Sequence, residues 1–298
     1  MNSQLSEAAK IDRSNLRKVY ERAHVLFLDN LEIAPTPENF PLPYALCEKA
    51  QETHWPRMQF ANLMVSGELS ETINQLNAWR EWLMDLSVWA KVLDEMDERD
   101  AWTVQHTYVD ALAHVCLTQS SAVRDRFGYI ATNAIHQANL NTVVSYKDKL
   151  EQDDEKYPLG RKRIEKQLHK IGKYWTGSTE FNAALQSLDS EDYRRATWNY
   201  RNLAAHAIAP RFRLGITNFV MRGMTALPEM VQQPDGTSLM VDHPTKKAVS
   251  YGFGGTEPLE LREVHALSLG EFRKAVDVFT TYSALIQEVL VVLQNKGG

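Results

Sequence analysis

The chain is short of the residues that make metal-bound or disulfide-stapled folds. Only two cysteines, Cys47 and Cys116, occur in 298 residues. That is too few for a disulfide framework or a cysteine zinc site, and it fits a reducing cytoplasm. The Glu-x-x-His pair that a di-iron bundle draws from two helices is present once, at Glu21 and His24, and His-Glu-x-x-His does not occur, so the expectation is no metal and no cofactor. Apolar runs of membrane-spanning length are missing, and the amino-terminal MNSQLSEAAKIDRSN is polar where a signal peptide is apolar. A cytoplasmic protein with no membrane partner follows. Positive charge is not in excess either: the net charge is −5 and the pI about 6.0. The chain as a whole is therefore no electrostatic binder of nucleic acid, although a local basic face stays open.

What the sequence has in abundance is helical periodicity. Leu16, Val19, Ala23 and Leu26 recur at steps of three and four, as do Leu76, Trp79, Leu83, Leu86, Ala90 and Leu93. Phe272, Val276, Phe279, Ser283, Ile286, Leu290 and Leu293 repeat the pattern near the carboxyl end. Each set forms one apolar stripe, the mark of helices packed in a bundle. Proline and glycine gather between the stripes, at 33–43, 157–160 and 176–179, and read as connections. No internal repeat or low-complexity linker forces a boundary, so the expectation is one mainly helical domain over 1–298.

One stretch departs from the pattern. Residues 228–263 carry turn signals at Pro234-Asp235-Gly236 and His243-Pro244, with short apolar runs at 238–241 and 248–253. They read as a small β-hairpin inserted before the last helix. The fold class is thus all-α, a helical bundle with that insertion. Gly252, Gly254 and Gly255 in YGFGG do not match a dinucleotide fingerprint and read instead as a turn needing positive φ.

Charge and histidine placement narrow the candidates. An acidic run leads into RKRIEKQLHKIGK, where Ile164, Leu168 and Ile171 supply a core face and Arg161, Lys162, Lys166, Lys170 and Lys173 fall largely outside it. Such a run is either a solvated helix face or a phosphate contact. His54, His114, His136 and His265 have no chemical neighbour in sequence and read as packed or surface residues.

The stretch YRNLAAHAIAPR, residues 200–211, is different. Asp189 reads as the N-cap of a helix over about 190–208, with Glu191 and Asp192 in its acidic first turn and Pro210 as its stop. On that helix Trp198, Asn202 and His206 share a face, and Arg201 lies about 140° around from His206. Only the length of the arginine side chain lets the two meet at one site.

Arg201-Asn202-Leu203-Ala204-Ala205-His206 resembles the Arg, polar residue, three residues, His signature of the HEPN superfamily, helical proteins that include ribonucleases of toxin–antitoxin and phage-defence systems. The match is six residues long, with looser similarity over about 122–295; the helical extension 1–121 and the insert lie outside it. Arg17 with His24, Arg99 with His106 and Arg163 with His169 fit the bare spacing too. Arg17 and Arg163 lack the polar neighbour, and Arg99, followed by Asp100, remains the rival.

The resemblance implies a homodimer that cleaves RNA without metal, with two motifs meeting across a two-fold axis. The RNA 2′-hydroxyl is the nucleophile, so the enzyme moves two protons and neutralises a crowded phosphorus. Histidine suits the proton transfers and arginine the phosphate oxygens, with Asn202 orienting either. A 2′,3′-cyclic phosphate is the expected product. Arg194, Arg195, Arg211 and Arg213, with Arg161 and Lys162, are candidates for extending the positive field along the RNA, and an antitoxin or regulatory partner fits such a system. Two other classes stay open: a non-catalytic helical scaffold or partner-binding subunit, and a module that binds RNA or nucleotide through the basic helix without cutting. In the plainest reading Arg201 pairs with an acidic neighbour and His206 closes a helix end.

Overall fold

The computed structural model describes residues 7–34, 40–58, 60–157 and 159–297. It divides into two compact units, Met1–Arg201 with Leu261–Gly298, and Asn202–Glu260. Part of the 33–43 connection, and Pro158 in the next, lie outside the described residues.

The first unit is a helical bundle built on three long helices, α3 (Ala61–Asp94), α5 (Asp110–Thr142) and α10 (Leu261–Gly297), which pack against one another. The apolar stripe read at 76–93 forms the buried face of α3, with Leu76, Trp79, Leu83, Leu86 and Leu93 fully enclosed. In α10 the stripe is wider than expected: Ala275, Val278, Tyr282, Leu285 and Val289 are buried beside Phe272, Ile286 and Leu290. A helix buried on so broad a face is gripped from several sides. The Tyr282 ring meets Phe127 of α5 at 5.7 Å and Phe181 of α7 (Ser178–Ser187) at 5.5 Å between centroids. By length and composition alone α10 could cross a membrane, which amends the expectation that no apolar run is long enough; many of its apolar residues are buried, and the helix packs on α3, α5 and α7.

Shorter helices surround this core. Helices α1 (Glu7–Glu32) and α2 (Ala45–Glu52) pack on α3, and α6 (Arg161–Gly172) packs on α5. The α1 stripe is only lightly used, since Ala23 is buried while Leu16, Val19 and Leu26 are half-exposed. After α3, Asp97 caps α4 (Glu98–Val104) by accepting from the Asp100 amide at 3.1 Å. A single π-helical turn, Gln105–Val109, then joins α4 to α5. Cys47 and Cys116 are free thiols, and burial pushes the Cys116 thiol up to about 12.

The region around residue 190 is where sequence and structure part. Asp189 is not the N-cap: Ser190 caps α8 (Glu191–Ala196), accepting from the Tyr193 amide at 3.3 Å. Asp189 lies at φ 49°, and its buried carboxylate is taken by two arginines. Arg194 reaches it at 3.2 and 2.8 Å, and Arg161 of α6 bonds it as well. Arg161 also binds Asp125 at 2.5 Å and the Ser121 hydroxyl at 2.7 Å, both on α5. The Asp189 amide in turn donates to the buried Glu271 of α10 at 2.6 Å. Nearby, Arg124 makes a forked pair with Glu165 at 2.7 and 3.1 Å and bonds the Leu188 carbonyl at 2.5 Å. Four helices are thereby tied to the turn that precedes α8.

The expected single helix over 190–208 is two. Helix α8 ends in a Schellman turn: the Asn199 amide bonds the Arg194 carbonyl at 2.6 Å, and the Trp198 amide bonds that of Arg195 at 3.1 Å. Trp198 and Asn199 both take φ 53°, a conformation usually left to glycine. The chain then re-enters a helix, α9, at Tyr200–His206.

The second unit is a two-stranded antiparallel ribbon, β1 (Thr217–Gln232) with β2 (Ser238–Thr256). The hairpin before the last helix is present, and it is longer than the turn signals suggest. Pro234-Asp235-Gly236 forms the turn as expected: Gly236 sits at φ 84°, and Asp235 accepts from the Thr237 amide at 2.9 Å and its hydroxyl at 2.6 Å. His243-Pro244 is not a second turn. It lies within β2 beside a break in register between Ala226 and Pro228, where the His243 ring accepts the amides of Thr245 and Lys246 at 3.2 and 3.0 Å. YGFGG is not a positive-φ turn either, because all of it is strand. Gly254 is needed for a different reason. The Phe219 ring lies across it from β1, and a β-carbon there would come within 2.9 Å of that ring.

The Asp189 cluster yields a direct expectation. Burial alone raises the Asp189 carboxyl, but the hydrogen bonds and charges of Arg194 and Arg161 outweigh it and hold the group below its ordinary 3.8. A depressed acid stabilises the fold above its unfolded value, and that contribution is lost as pH falls through the folded value. Asp189→Ala, which removes the carboxylate of Arg194 and one of the two that hold Arg161, is expected to cost about 3 kcal/mol in urea unfolding at pH 7. The gap between variant and wild type should close as pH drops below about 4.

Candidate functional site

Helix α9 carries the whole motif in seven residues, YRNLAAH. The boundary between the two compact units falls inside it, after Arg201, so Arg201 belongs to the helical unit and Asn202 and His206 to the ribbon unit. All three are exposed, and none enters a side-chain hydrogen bond or ion pair among the described residues. His206 ends the helix, and the Leu203 carbonyl accepts the Ala207 amide at 2.8 Å. The helix therefore stops three residues short of Pro210. Before the motif, Tyr200 is buried and its hydroxyl lies 3.2 Å from the His114 ring of α5, which anchors the start of α9 to the bundle.

Trp198 does not share a face with Asn202 and His206. It lies in the left-handed turn before α9, exposed, so the helical spacing that placed it beside them does not apply. The turn exists because the α8 end closes on its own carbonyls, a pairing that periodicity alone does not reveal.

Among the other Arg–His pairs of suitable spacing, Arg17 is paired with Glu21 at 2.7 Å and Arg163 with Glu155 at 2.7 Å. The rival His106 stacks on Trp102 at 5.8 Å and lies 3.3 Å from the Asp110 carboxylate, in the π-helical turn. Arg99 is exposed on α4.

The cations expected to line an RNA path divide into two groups. Arg161 and Arg194 are spent on Asp189, and Arg161 is largely buried, so the basic face read for α6 loses its first member. Lys162, Arg195 and Arg211 are exposed, Arg195 with only distant carboxylates, Glu191 at 3.7 Å and Asp192 at 3.9 Å. Arg213 is half-buried at φ 60°, with its amide on the Leu259 carbonyl at 2.9 Å. Among the other histidines, the buried His136 is held by the Tyr146 hydroxyl at 3.0 Å and Asp148 at 2.9 Å, and burial lowers His265. No group of three or more metal-ligating side chains is found among the described residues.

One titratable group went unnoticed in the sequence. Glu68 of α3 borders an open cleft of about 580 Å³ that Glu71, Arg126 and Tyr129 also line. Burial raises its carboxyl to about 7, against the opposing hydrogen bond from the Asn133 amide at 2.7 Å. Its other oxygen is enclosed without a partner among the described residues. The signal was available: with Ala61, Val65 and Thr72, Glu68 continues a stripe at steps of three and four that is otherwise buried.

No protein-family model, no curated protein and no solved structure matches the chain at a significant level.

For Glu68 the sign is opposite to that for Asp189. A carboxyl raised in the folded state binds more protons than the unfolded chain between 4.5 and about 7, so stability falls as pH rises across that window. Glu68→Gln, neutral at every pH, is expected to melt with the wild type at pH 5 and above it at pH 8. The gain at pH 8 should be about 2–4 °C, the shift that ~1 kcal/mol produces in a domain of this size. Equal melting temperatures at pH 8 would show that the carboxylate is solvated at no cost.

Proposed function

We propose that the protein is a metal-independent endoribonuclease of HEPN type, with Arg201, Asn202 and His206 as its reacting groups. The observation that supports this most is one of contrast. In the same stretch Arg161 and Arg194 are consumed by a buried carboxylate, whereas Arg201 and His206 stand exposed with no carboxylate or backbone partner among the described residues. Structural arginines are paired; a phosphate-binding arginine must be available. In this reading His206 transfers a proton at the 2′-hydroxyl or the departing 5′-oxygen. The Arg201 guanidinium offers forked donors to the non-bridging phosphate oxygens, and Asn202 orients the phosphate. Lys162, Arg195 and Arg211 are the remaining cations that would extend RNA contact. One chain supplies each reacting group once, while the reaction needs a proton acceptor, a proton donor and charge neutralisation together. A two-fold homodimer supplies each twice. A toxin or defence setting in the cytoplasm, with a regulatory partner, would suit such an activity.

A partner-binding subunit is the second reading. The apolar side chains exposed along the ribbon favour it.

Purified protein incubated with mixed RNA in EDTA is expected to release fragments ending in 2′,3′-cyclic phosphate and to leave DNA intact. His206→Ala should lower the rate by at least ~10²-fold, the lower range for loss of a general acid or base. Loss of activity to the chelator would refute the metal-free route. Arg201→Lys keeps the charge and loses the fork, so a fall of ~10²–10³ is expected, comparable to removing one preorganised donor. A rate within error of wild type would return Arg201 to a surface role.

A further inference from the structure

Residues 193–228 hold six arginines and no aspartate or glutamate, in a chain whose net charge is −5. The local excess is made entirely of arginine, the cation whose planar fork fits a phosphate. Within the first compact unit the same stretch exposes a group of another kind. Trp198 is 56% exposed and stands between Arg195 and Arg201, three residues from each. Arg195 has only the distant carboxylates of Glu191 and Asp192, and Arg201 has no side-chain partner among the described residues.

The indole is presented by a closed turn. Trp198 and Asn199 both hold φ 53°, where a bulky side chain is an outlier, so surrounding bonds must fix them there. The Asn199 amide donates to the Arg194 carbonyl at 2.6 Å, the Trp198 amide to that of Arg195 at 3.1 Å, and the Tyr200 amide to that of Thr197 at 2.9 Å. The Thr197 hydroxyl donates to the Tyr193 carbonyl at 2.9 Å, and the Tyr193 hydroxyl to the Leu117 carbonyl of α5 at 3.0 Å. After the turn, Tyr200 is held at His114. Glycine would occupy position 198 without strain, and much of the indole lies in water, so the turn itself does not call for tryptophan.

A flat aromatic ring between two available guanidiniums fits an unpaired nucleotide: the base stacks on the indole while the phosphates on either side take the arginines. An apolar protein partner would cover the indole but leave both arginines without counter-charge. A base inside a duplex has no open face to offer. We propose that Trp198 is a base-stacking site, taking the base of an unpaired nucleotide whose flanking phosphates are held by Arg195 and Arg201. This assignment rests on the ribonuclease reading for the phosphate role of Arg201, and it adds the residue that selects which strands enter. A helical stem keeps its base faces stacked on one another, whereas a loop or a free end presents them.

The test is fluorescence anisotropy of the full chain in EDTA with fluorescein-labelled oligodeoxynucleotides of mixed sequence, single-stranded or annealed to their complements. DNA lacks the 2′-hydroxyl that the proposed cleavage requires, so binding is read apart from cleavage. Trp198→Gly should weaken single-strand binding at least ~10-fold, the loss of one base stack, and leave duplex binding within about 2-fold. Trp198→Phe, which keeps a stacking face, should fall between the two. Salt separates the contributions: Trp198→Gly should keep the wild-type slope of log affinity against log salt, whereas Arg201→Gln should flatten it by about 0.7, one single-strand phosphate. Because glycine suits φ 53°, Trp198→Gly should melt no lower than wild type. Unchanged single-strand binding in Trp198→Gly, an equal loss for single strand and duplex, or a melting temperature well below wild type would each overturn the inference. So would a Trp198→Gly variant that sediments as a monomer where wild type is a dimer, which would make the indole an interface anchor. A wild type that cuts no RNA, with single-strand affinity still lost in Trp198→Gly, would strike the ribonuclease reading and leave the stacking site. Cleavage that depends on His206, with single-strand binding indifferent to Trp198, would do the reverse.

Discussion

The ion cluster around Asp189 is the interaction on which the organisation near the motif depends. One buried carboxylate is bonded by arginines from α6 and α8, and its own backbone amide donates to Glu271 of α10. Burying these charges is costly on its own, and the site tolerates it because each group has several partners. Arg161 alone bonds two carboxylates, a hydroxyl and a carbonyl. The arrangement fixes where α8 starts, and hence where its Schellman turn releases the chain into α9.

The same cluster separates cations by role. Counted by type, the stretch from α6 to the ribbon holds more cations than anions. Counted by partner, it contains arginines that hold helices together and others that face solvent. Arg161 has most of its donors engaged by Asp125, Asp189 and Ser121, while Arg194 commits Nε and Nη2 to Asp189 and keeps Nη1. Lys162, Arg195 and Arg211 remain outside this structural network.

The ribbon follows a different logic from the bundle. Helices satisfy their backbone groups internally, so the bundle needs only apolar faces to assemble. A two-stranded ribbon leaves half of its backbone groups unpaired, and here many of its apolar side chains are exposed. Its internal consistency is nonetheless high, from the Asp235–Gly236 turn to the Phe219 ring laid over Gly254. Such an element is well specified in register and incomplete in burial.

Much of the fold was legible because helical stripes and turn dipeptides are local signals. The α3 and α10 stripes, the Pro-Asp-Gly turn and the all-α class with its hairpin follow from spacing within a few residues. The α8–α9 break was not legible, because it rests on Trp198 and Asn199 in left-handed conformations that neither residue advertises. The extent of the ribbon was missed because His243-Pro244 normally ends a strand, and here the histidine ring satisfies the freed amides. By itself the sequence determined which residues could be helix, which could turn, and that Arg201, Asn202 and His206 lie within six positions. Only the tertiary structure decided which cations were already bound, since a charge's partner lies across the chain: Arg161 finds Asp189 twenty-eight residues away and Asp125 thirty-six residues away. Long-range pairing of this kind leaves no periodic trace, and it is what separates a structural arginine from an available one.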